Sequence, residues 1–203
     1  MKRKYDIGQK LNTKNNGELV IASHKKNGMY EVVFLDTSYK TLCFCSNITL
    51  GNVKDFLKPS VCGVGVIGDG IHKTTVNNKK TKVYICWKSM IQRCYDNSKD
   101  RNSTYADCEV CEEWQEFQIF AEWYFENYPR DGSDYQLDKD TIKKGNKIYS
   151  PETCCFISKE ENIRHANAKE YILTSPDGAE VKVYSLNRFC KENDLNNGMM
   201  VQV

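Results

Sequence analysis

The chain carries almost no net charge of either sign. Its 29 Lys and Arg stand against 27 Asp and Glu over 203 residues, leaving +2. No global basic field therefore marks a nucleic-acid partner. No segment approaches the roughly 20 consecutive apolar residues that an α-helical membrane span needs. The first residues, MKRKYDIG, are basic but lack the apolar run of a secretory leader. Strict internal repeats are also missing. An intracellular chain is expected, with ten cysteines in a reducing compartment. A disulfide framework is not expected there, so the thiols are buried, metal-ligating or both. Hydrophobic content of 40% and charged content of 28% suit a folded chain with short linkers. The length allows one medium domain or two to three small modules.

Charge is present locally. HKK begins at His24, NNKKTK at 77 and IKKGNK at 142. Each alone reads as a solvated loop. The stretch 1–66 reads as β-rich, because GELVIASHKK, MYEVVFLDT and KTLCFCSNITL are β-branched and aromatic runs separated by turn signals. A small barrel or a three-stranded sheet follows. The stretch 67–82, IGDGIHKTTVNNKKTK, lacks an apolar period and reads as a linker or extended loop.

In the stretch 83–168, Trp87, Met90, Ile91, Cys94 and Tyr95 recur at helical spacing. Trp114, Phe117, Phe120, Ala121 and Tyr124 form one face of a second helix, read as core rather than as a platform for bases. Glu112 and Glu113 suit the positive end of that helix. YQLDKD then reads as a strand ending at Asp138, TIKKGNKIYSPET as a turn, CCFIS as a second strand and KEENIRHANA as a helix carrying Asn162. The stretch 169–203 reads as a β-hairpin around Asp177-Gly178, then a helix capped by Ser185. The fold class expected is α+β.

Hydrolysis of a phosphodiester needs a metal that stabilises charge on the phosphate and leaving oxygen, an activated water and a rigid scaffold. A strand carboxylate and a helix amide offer hard oxygen ligands for Mg²⁺ or Mn²⁺. The string W…MI.RCY…C.VC.EW..F..F..W…LDKD…GNK.YSPETC.F….N, about half of the chain, resembles the HNH, or ββα-metal, nucleases common in bacteriophage genomes. The resemblance implies a ββα-metal module with two preceding helices. Asp138 and Asn162 match the metal ligands, and Thr153 stands where the family often has its middle asparagine. Lys139 stands at the position of the general-base histidine, as in similar phage proteins. SPDGAEVKVYSLNRFCKENDL resembles part of a nuclease-associated modular repeat, which implies a helix-turn-helix-like DNA reader.

A protonated lysine does not accept a proton from water, so Lys139 is expected to bind the scissile phosphate unless its pKa is lowered. Tyr149 and His165 are the alternative catalytic candidates, His165 because it lies one helical turn beyond Asn162. Some HNH restriction enzymes also resemble this chain in carrying a basic residue at the histidine position. Cys108 and Cys111 form a C-x₂-C pair; with Cys94 and with Cys154 or Cys155 they would complete a structural Zn²⁺ site. Buried thiols are the alternative reading. Lys79, Lys80, Lys82, Lys143, Lys144, Lys147 and Arg188 are candidate DNA contacts.

The expected function is a DNA endonuclease acting on double-stranded DNA in the bacterial host cytoplasm, without membrane association and with a homodimer as a conceivable assembly. The alternatives are a catalytically silent DNA-binding protein and a phage inhibitor that binds a host protein.

Overall fold

The computed structural model describes residues 3–96, 105, 107–167, 170–175, 177–183, 185–196 and 198, with the side chains of 164–167 outside the description. Period-two alternation builds the first sheet. Strands β1 (Lys10–Asn12), β2 (Glu18–His24), β3 (Met29–Phe34) and β4 (Lys40–Phe44) form an antiparallel meander in that order. Leu19, Ile21, Tyr30, Val32, Phe34 and Cys43 turn inward and join Tyr5, Tyr39, Ile48 and Val53 in a first core. The β2–β3 turn needs Asn27 and Gly28 at φ 60° and 71°, a conformation these residue types tolerate. Cys45–Thr49 is a short helix, α1, rather than the end of a strand.

A second core starts earlier in the chain than composition suggests. Strands β5 (Pro59–Val61) and β6 (Gly65–Val66) form a small hairpin, and Val61 belongs to the cluster around Trp87. A Cβ on Gly65 would lie 3.0 Å from the Trp87 ring, so glycine there allows the hairpin to dock. The segment expected as a linker is also structured. Strands β7 (Thr75–Val76) and β8 (Lys79–Lys80) close on Asn77 and Asn78, both at positive φ. Ahead of that hairpin, the His72 N–H donates to Gln118 Oε1 at 3.0 Å, and Gln118 Nε2 donates to the His72 carbonyl at 3.1 Å.

Helix α2 (Lys82–Tyr95) starts at Thr81, whose side chain accepts from the Tyr84 N–H at 3.3 Å. It buries Val83, Trp87, Met90, Ile91 and Cys94. Strand β9 (Glu109–Val110) follows. Trp114 lies in a 3₁₀ turn, Glu113–Gln115, and extended Glu116 separates that turn from helix α3 (Phe117–Asn127). The aromatic face read as one helix is therefore two pieces, but all five of its residues are buried. The Trp87 indole N–H donates to the Trp114 carbonyl at 2.8 Å, tying α2 to the turn. Burying each such ring contributes about 1.5–3 kcal/mol.

Strands β10 (Tyr135–Asp138), β11 (Ile148–Tyr149) and β12 (Cys155–Ser158) and helix α4 (Lys159–Asn167) follow. β10 pairs antiparallel with β12, while β11 pairs parallel with β9. The long turn between β10 and β12 is thus stitched to the helical part of the module. Strands β13 (Tyr171–Thr174) and β14 (Glu180–Val183) form the expected hairpin. Helix α5 (Leu186–Glu192) begins at Ser185, whose hydroxyl accepts from the Arg188 N–H at 3.4 Å. The whole is mixed α+β. No helix among the described residues is long and apolar enough to cross a membrane.

Candidate functional site

Pleating sorts the residues of β10 and β12 onto two faces. Leu137 and its register partner Phe156 share one face, where Phe156 meets the rings of Trp123, Tyr124 and Tyr128. The other face presents Gln136 opposite Ile157 and Asp138 opposite Cys155, and α4 packs against both strands. From α4, the Asn162 side-chain amide donates to Gln136 Oε1. Gln136 lies two residues before Asp138, so the sheet brings Asp138, Gln136, Cys155 and Asn162 to one face.

Asp138 caps the turn that ends its strand. Its Oδ2 accepts from the Thr141 hydroxyl at 2.8 Å and the Thr141 N–H at 3.1 Å, and its Oδ1 accepts from the Asp140 N–H at 3.2 Å. A carboxylate offers about four lone-pair sites, so Oδ1 keeps acceptor capacity. The Asp138 carboxylate and the Asn162 amide oxygen are hard donors of the type that Mg²⁺ and Mn²⁺ take.

Lys139 points elsewhere. It is buried, at 6% exposure, and its Nζ donates to Asp140 Oδ2 and to the Asn146 carbonyl, both at 2.7 Å. Asn146 returns the contact: its Nδ2 donates to the Lys139 carbonyl at 3.2 Å and to the Ile148 carbonyl at 2.5 Å. Two acceptors hold the lysine amine as a donor. Its Nζ also lies 6.0 Å from the centre of the Tyr149 ring. Tyr149 is 2% exposed, and burial pushes its phenol above the ordinary range despite the opposing effect of Arg93, which hydrogen-bonds it. A phenol so placed keeps its proton, and that disfavours the basic role considered for Tyr149. The His165 side chain lies outside the described residues.

Thr153 serves the turn: its hydroxyl donates to the Ile148 carbonyl at 2.8 Å and accepts from the Ser150 N–H at 3.2 Å. Cys94, Cys108 and Cys154 are buried in the second core, and Cys111 packs against it. Burial pushes the thiol of Cys154 up to about 12 and that of Cys111 up to about 11. The four sulfurs share one core. Among the described residues, however, no group of three or more His, Cys, Asp or Glu is arranged to hold a metal ion.

The candidate DNA contacts are dispersed. Lys79 and Lys80 are exposed on β8, and Lys143, Lys144 and Lys147 are exposed on the turn that Lys139 and Asn146 hold. Lys82 pairs with Asp134 at 2.5 Å, and Arg188 Nε donates to Glu192 Oε1 at 2.5 Å within α5. Sequence reasoning missed Gln136, Asn146 and Arg93. The strand alternation counted back from Asp138 would have flagged Gln136. No local signal marks the other two. No protein-family profile, curated protein or solved structure matches the chain.

Proposed function

We propose that the chain is a metal-dependent DNA endonuclease of ββα-metal type. The observation that supports this reading is the shared face of β10, β12 and α4, with the Asp138 carboxylate and the Asn162–Gln136 amide pair on it. Asp138 and Asn162 would hold the divalent ion. When bound, such an ion supplies charge stabilisation to a phosphodiester and its leaving oxygen. The Thr141 and Asp140 donors orient the carboxylate, and Gln136 orients the amide. The exposed Lys143, Lys144 and Lys147 follow Asp138 on the same turn and offer phosphate contacts, so affinity for DNA should fall steeply with salt.

The test is plasmid cleavage in Mg²⁺ and Mn²⁺ with Asp138→Ala as the control. Cutting by the native chain that the variant loses supports the reading. Absence of cutting in either metal overturns it.

A second reading, a DNA-binding protein that does not cut, draws on a specific observation. Lys139 is committed to Asp140 and Asn146, and Tyr149 keeps its proton, so neither accepts one from water. This reading expects a salt-sensitive gel shift without cleavage.

A further inference from the structure

Helix α2 carries a second stripe beside its core face. Lys82, Ile85, Cys86, Ser89 and Arg93 follow at spacings of three and four and share one face. That stripe and strand β10 wall a cleft of about 340 Å³, with Tyr124 and Tyr128 between them and Gln136 and Leu137 on the strand side. The volume is at the small end for ligand sites, which suits one planar ring and not a duplex.

The lining has the chemistry of a nucleotide. Tyrosine rings, Ile85 and Leu137 offer apolar surface to a base, while the Ser89 hydroxyl offers a hydrogen bond to its edge. Arg93 stands at one end; at the other, eleven residues earlier on the helix and hence about 16 Å along its axis, Lys82 is paired with Asp134, which also lines the cleft. Arg93 is held in advance: it hydrogen-bonds the Tyr149 hydroxyl, and its guanidinium lies 5.7 Å from the Tyr105 ring centre. A planar fork fixed in this way suits a phosphate. β10 links the cleft to the candidate metal face: Leu137 lines the cleft, and the next residue, Asp138, turns to the other face of the strand.

We infer that the α2–β10 cleft receives one unpaired nucleobase of the DNA strand whose backbone reaches Asp138. The preferred substrate class is then DNA with an unpaired nucleotide beside the scissile bond. The inference rests on the nuclease reading for the role of Asp138. The binding preference itself needs no metal and no cleavage. A paired base stays in its stack and does not enter a cleft of this size.

The test is fluorescence anisotropy of the full chain, without metal, on three short duplexes: fully paired, with a one-nucleotide bulge, and with an abasic residue at that bulge. The bulged duplex should bind about tenfold tighter than the paired one, and the abasic residue should abolish the gain. Ser89→Trp, which fills the cleft, should remove the preference and leave paired-duplex affinity unchanged. Ile85→Glu, at a half-exposed rim position, is the second variant; it sets a negative charge at the mouth and should also remove the preference. Equal affinity for all three duplexes would overturn the inference, as would a preference that both variants retain. A bulge preference in a chain that never cuts would sink the nuclease reading and leave the cleft assignment standing.

Discussion

Lys139 and Asn146 hold each other across the turn that follows β10. The lysine Nζ donates to the Asn146 carbonyl at 2.7 Å, and the asparagine Nδ2 donates back to the Lys139 carbonyl at 3.2 Å. Both residues are buried. Lys139→Met keeps the apolar stem but leaves the Asn146 carbonyl without its charged donor. The expected loss of stability is about 1–3 kcal/mol. Asn146→Ala should cost a similar amount. Because the two share one network, the double variant should lose less than the sum, by about 0.5 kcal/mol or more. Denaturant unfolding of the four proteins measures the coupling. Strict additivity would mean that the pair does not act as a unit.

Gln118 governs the segment between β6 and α2. Its amide holds both backbone groups of His72 and also donates to the Ile67 carbonyl at 3.4 Å. The glycines at 68 and 70 lie where a Cβ would meet the Glu116 and Gln118 side chains. Gln118→Ala should therefore release this segment while α3 stays folded. Amide exchange at His72 should accelerate by at least tenfold, since losing one to two hydrogen bonds is worth about 1–2 kcal/mol. Unchanged protection at His72 would show that the segment is held by other contacts.

These two relationships also mark the limit of what the sequence discloses. Helix α2 was legible because Trp87, Met90, Ile91 and Cys94 repeat with helical period and all are buried. β10, β12 and α4 were legible as strand, strand and helix, with Asp138 and Asn162 at the expected positions. Trp114 was assigned to a helix, but extended Glu116 breaks that helix, at φ −90° and ψ 124°. Periodicity does not sense a single backbone dihedral. The β9–β11 pairing joins two-residue strands far apart in sequence, which leaves no local pattern. Lys139 reads as a phosphate-binding site cation, and lysine is rarely buried; its partner's carbonyl is seven residues away and belongs to the backbone, which no side-chain pattern announces. Val61 reads with the N-terminal strands by composition, yet it packs in the second core.

Thiol burial makes stability fall on the alkaline side. Burial pushes Cys86 and Cys154 up to about 12, and burial first, with Cys45 nearby, pushes Cys43 up to about 11. An unfolded thiol titrates near 8.5. The folded chain therefore keeps these protons at a pH where the unfolded chain releases them, and stability falls as pH rises. The thiol contribution is complete below about pH 8.5 and is lost progressively as pH climbs toward the folded values. Melting temperature should be flat with respect to these groups near neutrality and decline from about pH 9 upward. Replacing Cys154 by Ala should flatten the decline. A melting temperature that rises through the same range would contradict the assignment.

Gln136 offers a way to test the metal face without touching its ligands. Its Oε1 accepts from the Asn162 amide nitrogen, so the opposite atom of that amide, the oxygen, is the one left to meet a cation. The side chain is exposed, and its removal should leave the unfolding free energy within about 0.5 kcal/mol of the native value. Partners that orient a ligand typically govern metal affinity by about tenfold or more. Under the nuclease reading, Gln136→Ala should raise the Mn²⁺ concentration for half-maximal cleavage by about tenfold. The maximal rate at saturating Mn²⁺ should change far less, because the carboxylate of Asp138 and its turn are intact. Mn²⁺ titrations of cleavage, with isothermal titration of the metal in parallel, separate the two quantities. An unchanged metal requirement would remove Asn162 from the metal site, since its orientation then has no bearing on the ion. A lost maximal rate with unchanged metal affinity would instead assign Gln136 to the substrate.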